Sequence, residues 1–360
     1  MLRDLKKVYS NPVYRHMNVD RILDDDNTQA KYTTSLGNEV RGGLIISPDG
    51  VKFDSRLKSF VYHNVTVHRR NTEKYLHLFK HNNMFGDTAT EDNTNPHSLV
   101  FSDKSRYGQK YTLNYISTVE TPVYSEIPKY SSVPLYIEIT PYSKVNIEEN
   151  FFQDQQTRIM RIVYVLREGA TLNLTRKFCD FANWTTKQIL ESRIIQHPAS
   201  TVNINTKCIH NLQENNYLQD LYFVDAYKDT KTNIKCRYYT PNKNSIHNIV
   251  DVNHIGSNGT SDVDVKAVTE GTSKFTFAGN IKVAKEAEKV DANLYNKNLQ
   301  LSKTSVVVSE PKLDISTKEI SCNHGCTISS VDPEQVYMLN TRGFNDSQAN
   351  KILTDAFING

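Results

Sequence analysis

The sequence predicts a mainly β chain, most of it a β-solenoid, with a small irregular region ahead of it and a helical hairpin behind it. Three observations carry that expectation. From about residue 100 to 322, short runs rich in Val, Ile, Thr and Tyr alternate in the manner of strands. Turn residues interrupt these runs every 8 to 15 residues or so, roughly, and no convincing helix intervenes. The strands also continue well past the roughly 100 residues that one immunoglobulin-like sandwich would use. On pattern alone a sandwich or a barrel stays open. Stacked coils need only inward apolar positions and turn residues, so the lack of an evident fixed-length repeat does not argue against them.

Taken in order, residues 1–100 form a divergent N-terminal region with little periodicity. Polar clusters at Asp24–Asn27 and Asp87–Asn95 read as loops. One short helix is expected over Thr72–Lys80, where Tyr75, Leu76, Leu78 and Phe79 would face a core. Residues 101–328 form the solenoid core. Its clearest strands are Val133–Ile139, Ile159–Val165, Ala170–Leu174, Asp220–Ala226, Thr232–Cys236, Asn248–Val252 and Val263–Ala267. Residues 329–360 turn helical. Asp332 is a candidate N-cap, with Pro333 at the first helical position and Gln335 placed for a capping box. That helix should run to about Thr341 and stop near Gly343. Asn345 should cap a second helix with Gln348 three residues on, and Ala349, Ile352, Leu353, Ala356 and Phe357 should form its buried face.

Composition narrows the function. The 43 basic and 40 acidic residues nearly cancel, leaving a formal charge of +3, and no clustered basic face points to nucleic acid. Lys6-Lys7 and Arg69-Arg70 read as solvated surface. No apolar run approaches the roughly 18 residues needed to cross a bilayer, and the N-terminus lacks the apolar core of a signal peptide. The five cysteines are odd in number and scattered, which suits reduced thiols in a cytosol-like compartment better than a disulfide framework. No P-loop, nucleophile elbow or dinucleotide fingerprint occurs, so independent hydrolase or ATPase chemistry has no sequence support.

One short stretch does carry chemistry. In Cys322-Asn323-His324-Gly325-Cys326, an extended chain places both thiols and the imidazole on one face. Neighbouring members lie about 7 Å apart, so Cys322 and His324 can lean toward one metal or cluster edge. Cys326 lies about 13 Å from Cys322 and joins them only if the chain bends at Gly325. Thiolate and imidazole both suit iron or zinc. The blander reading is a buried thiol and a histidine hydrogen-bonded at an interface. Cys208 and His210 share the same spacing, and His63, His68, His77 and His81 are further histidines; none belongs to a recognisable ligand motif.

The C-terminal third resembles the SufB/SufD family. The resemblance runs from Phe277-Ala278-Gly279-Asn280-Ile281 through Asp291–Ser302 and Pro311–Ile315 to Cys322–Thr327. It continues in Asp332–Tyr337 and Thr341-Arg342-Gly343-Phe344. It is good over about 275–358, looser over 130–275 and absent before 95. The chain lacks the cysteine that SufB-like members carry in the segment equivalent to Tyr295–Leu301, and its Cys322-Asn323-His324-Gly325 matches the SufD form.

That resemblance implies a right-handed parallel β-helix and a role as a non-enzymatic scaffold subunit in iron–sulfur cluster assembly. It implies pairing with a SufB-like protein, or with itself as a homodimer, and with a SufC-like ABC ATPase, in cytoplasm, organelle stroma or a host cytoplasm. A transient iron–sulfur cluster at the subunit interface would involve His324 and Cys322, while Cys326 replaces a residue that is usually small. The helical tail, through Tyr337, Arg342, Gly343, Phe344 and Asn345, would dock the ATPase. No tightly bound cofactor is expected. The alternatives are a homo-oligomeric SufB-type scaffold that holds the nascent cluster itself, and an unrelated, for example viral, structural solenoid.

Overall fold

The computed structural model describes residues 44–47, 50–53, 65–68, 97–103, 109–115, 130–152, 157–179, 187–209 and 216–360. Two sheets face each other across a shared core. One stacks β5 (Gln109–Tyr115), β7 (Lys144–Phe152), β9 (Thr171–Cys179), β11 (Thr201–Cys208), β13 (Lys231–Thr240), β15 (Thr260–Thr269), β17 (Val290–Gln300) and β19 (Ile320–Ser330) in parallel. The other stacks β4 (His97–Phe101), β6 (Tyr130–Ile139), β8 (Thr157–Leu166), β10 (Lys187–Gln196), β12 (Tyr217–Ala226), β14 (Ser245–His254), β16 (Lys274–Val283) and β18 (Val306–Ile315), also in parallel. Successive strands in sequence therefore lie in opposite sheets, which is a β-solenoid. At its N-terminal end β1 (Leu44–Ser47) pairs with β5 and with β2 (Gly50–Phe53), and β3 (Val65–His68) pairs antiparallel with β4. Strands thus reach into a region where the sequence shows no periodicity. The helix expected over Thr72–Lys80 and the polar clusters at 24–27 and 87–95 lie outside the described residues.

Period-two burial explains the strands. In β13 the pattern puts Thr232, Ile234, Cys236, Tyr238 and Thr240 inside and leaves Lys231, Asn233, Lys235, Arg237 and Tyr239 outward. Parallel pairing in register stacks like positions over one another, so each inward position becomes a column along the solenoid. One column runs Ile147, Leu174, Ile204, Ile234, Val263, Leu294, all buried.

The turns between sheets stack as well. Tyr142, Gly169, Ala199, Asp229, Asn258 and Lys289 all adopt φ between +55° and +65°. For a non-glycine residue this conformation costs about 1–2 kcal/mol. Here it turns the backbone N–H along the solenoid axis, where it donates to the next coil: Tyr142 to Glu168 O, Ala199 to Lys228 O, Asn258 to Glu288 O, Lys289 to Glu319 O. Four residues beyond each turn residue stands an outward Asn or Asp: Asn146, Asn173, Asn203, Asn233, Asp262 and Asn293, with Asn323 next in the stack. Their amides bond coil to coil, Asn173 to Asn146, Asn203 to Asn173 and Asn233 to Asn203 at 2.7 Å each.

Two helices follow. In α1 (Pro333–Asn340), the Asp332 carboxylate accepts from the Glu334 N–H at 2.9 Å, one residue earlier than the expected capping box at Gln335. The chain reverses at Gly343, φ +92°, as expected. In α2 (Asp346–Asn359), Asn345 and Gln348 form the anticipated reciprocal capping box. The buried face differs from the expected one. Ala349, Thr354 and Ile358 are buried and Leu353 and Phe357 half-buried, whereas Ile352 and Ala356 are exposed. The helix is rolled because its last turn docks on the outer face of the β15 sheet. There Ile358 packs with Val268 and Leu299, and two cations cap its last carbonyls. Arg237 Nε donates to Ile358 O and Lys266 Nζ to Phe357 O, each at 3.0 Å, which suits the negative end of a helix.

Candidate functional site at the open end of the solenoid

β18 and β19 end the two sheets, and among the described residues neither has a strand neighbour on its outer side. The core is consequently left uncapped. Val307, Leu313, Ile320 and Cys322 are only partly buried against it, and Val306, Ile315 and Ile328 are exposed. An unpaired edge with exposed apolar side chains is a template for another chain.

The sequence places its three candidate ligands on this edge. Cys322, His324 and Cys326 pair with Ala292, Leu294 and Asn296 of β17, all fully buried, so all three belong to the inward face of the last coil. His324 ends the aliphatic column that began at Ile147. Six coils put Ile, Leu or Val at this position and the seventh puts an exposed imidazole there. Cys322 is half-buried; burial raises its thiol pKa, against a backbone hydrogen bond at Ala292. Cys326 is exposed. Gly325 faces outward over Tyr295 without a positive φ, so the strand does not bend to bring Cys326 toward Cys322. Among the described residues no three His, Cys, Asp or Glu side chains gather as a metal site.

A polar cluster lies deeper in the lumen, and sequence reasoning did not find it. Arg176 on β9 is fully buried and bonds Glu149 through Nε (3.0 Å) and Nη2 (2.9 Å). Its Nη1 donates to Asp220 Oδ1 (3.1 Å) and the Tyr222 hydroxyl (3.0 Å), and Nη2 also donates to Ser192 Oγ (2.9 Å). Tyr115 and Tyr164 donate to Glu149 Oε1, and Tyr222 and Tyr238 donate to Asp220 Oδ2. Burial raises the Asp220 carboxyl, opposed by Arg176 and the tyrosine bonds. Burial also drives the Cys236 thiol up to about 12, reinforced by Asp220, so this cysteine is held as an inert thiol. Its only sequence signal is charge at inward strand positions, Glu149, Arg176 and Asp220, visible once the register is known.

The other sequence candidates separate from this end. Cys208 is buried in the core. His68 ends β3, and His63, His77, His81 and His210 lie outside the described residues. On the tail, Tyr337 is 71% exposed, Phe344 and Arg342 are exposed, and Met338 and Ile352 add exposed apolar surface that the sequence reading missed. Asn345 is engaged as a cap and Gly343 supplies the reversal, so both shape the hairpin. No helix among the described residues is long and apolar enough to cross a membrane.

Residues 129–357 match the family model described as SUF system FeS cluster assembly, SufBD core domain. An iron–sulfur cluster assembly SufBD family protein of Synechocystis is 32% identical over 111 residues, 31% of this chain and 24% of that protein. The assembly protein SufD of Escherichia coli is 34% identical over 92 residues, 26% of this chain and 22% of its own length. SufB of Bacillus subtilis is 26% identical over 105 residues, covering 29% of this chain and 23% of SufB. The matched stretches thus span about a quarter of these relatives.

Proposed function

Since the chain belongs to the SufB/SufD family of iron–sulfur cluster assembly proteins, we propose that it acts as a SufD-like scaffold subunit without catalysis of its own. It presents its open solenoid end to a SufB-like partner and its α1–α2 hairpin to a SufC-like ATPase in the cytoplasm or an organelle stroma. The observation that carries this reading is the last coil. An aliphatic column is replaced there by an exposed imidazole, beside a thiol, on an unpaired sheet edge. His324 and Cys322 can each offer one ligand to an iron–sulfur cluster in transit, and two ligands leave the remaining positions to another subunit. The cluster is cargo here, held between chains and passed on. The exposed Tyr337, Met338 and Phe344, with Arg342, supply the mixed apolar and cationic surface that an ATPase subunit would cover.

Co-purification of the tagged chain with its SufB-like and ATPase candidates tests this. Both should be retained. Tyr337→Asp should remove the ATPase and spare the solenoid contact, and Ile328→Asp the reverse. Retention of neither partner by the wild-type chain refutes the proposal. The second reading, a homo-oligomer that holds the nascent cluster itself, is favoured by Cys326, a second thiol on the same inward face. Anaerobic reconstitution with iron and sulfide discriminates the two: visible cluster absorbance retained by the lone chain supports the second reading.

A further inference from the structure

The outer face of the β15 sheet carries like charges in register. Lys177, Lys207, Arg237, Lys266 and Lys297 hold the same outward position in five successive coils. Parallel pairing sets neighbours in such a column about 4.8 Å apart, where like charges oppose one another. Acids answer part of the column: Glu148 pairs with Lys177, and Asp264 with Arg237. Lys266 is the buried member, and its pKa is lowered by burial and then by Arg237, against Asp264, with Lys297 adding to the effect. A buried ammonium between two cations needs a negative partner, and the one it meets is the end of a helix. The last turn of α2 lies across the column and across an apolar row beside it, Tyr239, Val268 and Leu299. Phe357 lies with its ring 5.6 Å from the Lys266 ammonium, and its carbonyl and that of Ile358 accept from Lys266 and Arg237. Arg237 is itself held by the strands. Its Nη1 donates to Cys236 O (3.0 Å) and Asp264 O (2.8 Å) and its Nη2 to the Asp264 carboxylate, which leaves Nε for the helix.

The hairpin stands on this contact. α2 packs on β15, and α1 packs on α2. Val331, where the chain enters the hairpin, joins the same apolar cluster as Ile358, so both ends of the hairpin meet at one base. The exposed Tyr337, Met338 and Phe344 lie away from that base, toward the reversal at Gly343. A helix of 14 residues is about 21 Å long, so a small tilt at the base moves the reversal by several ångströms. Resting on the reading of the hairpin as the ATPase-docking element, we propose that Arg237 and Lys266 are its positioning residues. By capping the last carbonyls of α2 they fix the angle of the arm, and so the attitude at which Tyr337, Met338 and Phe344 meet the ATPase subunit. The repulsion within the cation column is offset by the negative end of the helix dipole, which ties the attachment of the arm to charge as well as to apolar contact.

The experiment compares the full chain with Lys266→Met, Lys266→Arg, the double variant Arg237→Gln with Lys266→Met, and Lys207→Met. The last makes the same change in the same column two coils away from Lys266. Hydrogen exchange over residues 353–359 reads the clamp, titration with the purified SufC-like ATPase subunit reads docking, and a thermal melt reads the solenoid. Lys266→Met should speed exchange and weaken ATPase binding by about tenfold each, with the melt unchanged. The double variant should exceed it, Lys266→Arg should restore both readings, and Lys207→Met should leave both at the wild-type level. Wild-type exchange in the double variant overturns the clamp. Faster exchange with unaltered ATPase affinity overturns the positioning role and leaves a contact that is structural only. Equal effects from Lys207→Met and Lys266→Met overturn it too, since the loss then follows net charge and not the capped carbonyls. A wild-type chain that binds no ATPase subunit removes the docking reading and the positioning role with it, while the exchange series still decides whether the clamp holds α2.

Discussion

Arg176→Met offers the most severe test of how the lumen is held together. The substitution keeps an unbranched stem and removes the guanidinium, leaving Glu149 and Asp220 fully buried without a cation. Four of the hydrogen bonds lost ended on Glu149, Asp220 and Ser192. Removing one partner of a buried ion pair costs about 3–5 kcal/mol, because a charge is stranded in a low dielectric. Two carboxylates are stranded here, so the upper end, about 5 kcal/mol, is expected. That is a large share of the roughly 5–15 kcal/mol by which a folded chain is stable. Urea unfolding followed by circular dichroism at neutral pH reads the loss. Two controls isolate its cause. Adding Glu149→Gln and Asp220→Asn to Arg176→Met should recover most of the stability, since neutral amides can still accept the tyrosine hydroxyls. Lowering the pH should narrow the gap between Arg176→Met and wild type, because stranded carboxyls take up protons in the fold before they do so in the unfolded chain. A single variant within about 1 kcal/mol of wild type would falsify the claim that these charges are dry and mutually dependent.

Other consequences follow from individual residues. His254 is fully buried, and burial lowers its pKa to about 4, so the unfolded chain binds the proton first; stability should fall by roughly 3 kcal/mol as pH drops from about 6.5 to 4. His254→Gln should flatten that limb in a pH series of melts, and an unchanged limb would assign the loss to other groups. Asp262 stands at the ladder position that Asn233 and Asn293 occupy in adjoining coils, where a carboxylate cannot donate to the amide below it. Asp262→Asn should therefore gain about 0.5–1.5 kcal/mol by completing the stack, and a loss in urea midpoint counts against the ladder. Gly256 has no room for a side chain, since a Cβ would lie 2.3 Å from the Lys228 backbone nitrogen. Gly256→Ala should lower stability by about 1–3 kcal/mol through forced movement of the turn, and a neutral melt would show the turn to be pliant.

The sequence displays what repeats within a strand and conceals what repeats between coils. Alternation at Val263–Ala267 is legible because inward and outward positions differ in polarity, whereas Ile159–Val165 is legible only as an apolar run, its outward Ile159, Val163 and Val165 being buried as well. β7, β10 and β11 are harder to see, since Glu149 and Glu191 and the threonines of β11 are inward or sheltered positions carrying polar side chains. Their partners lie tens of residues away, as Arg176 does from Glu149 and Asp220, and no local window contains both members. The coil repeat was present throughout as an Asn or Asp four residues after a left-handed turn residue. It escapes notice because that turn residue is variously Tyr, Gly, Ala, Asp, Asn or Lys, its conformation stabilised by the next coil and not by its own identity. From one stacked position to the next the coils also vary in length from 27 residues (Asn146 to Asn173) to 38 (Leu99 to Ile137), which defeats a fixed period.

The candidate site was legible for the opposite reason: it breaks the pattern. A thiol–imidazole–thiol alternation stands out in one strand without knowledge of any other, and extended geometry alone puts its members on one face. What the sequence could not supply was the meaning of that face. In an interior coil the same three residues would be sealed beneath the next strand, as Ala292, Leu294 and Asn296 are sealed beneath them. Their chemistry is available only because the stack stops at β19, so position in the solenoid, more than residue type, separates an accessible cysteine from the buried, inert Cys236 three coils below. In a Cys179→Ser chain, transplanting Cys322, His324 and Cys326 one coil inward, onto 292, 294 and 296, should abolish thiol labelling by an iodoacetamide probe in the folded state. Rapid labelling there would mean that the end of the solenoid frays, and that exposure at β19 reflects motion and not architecture.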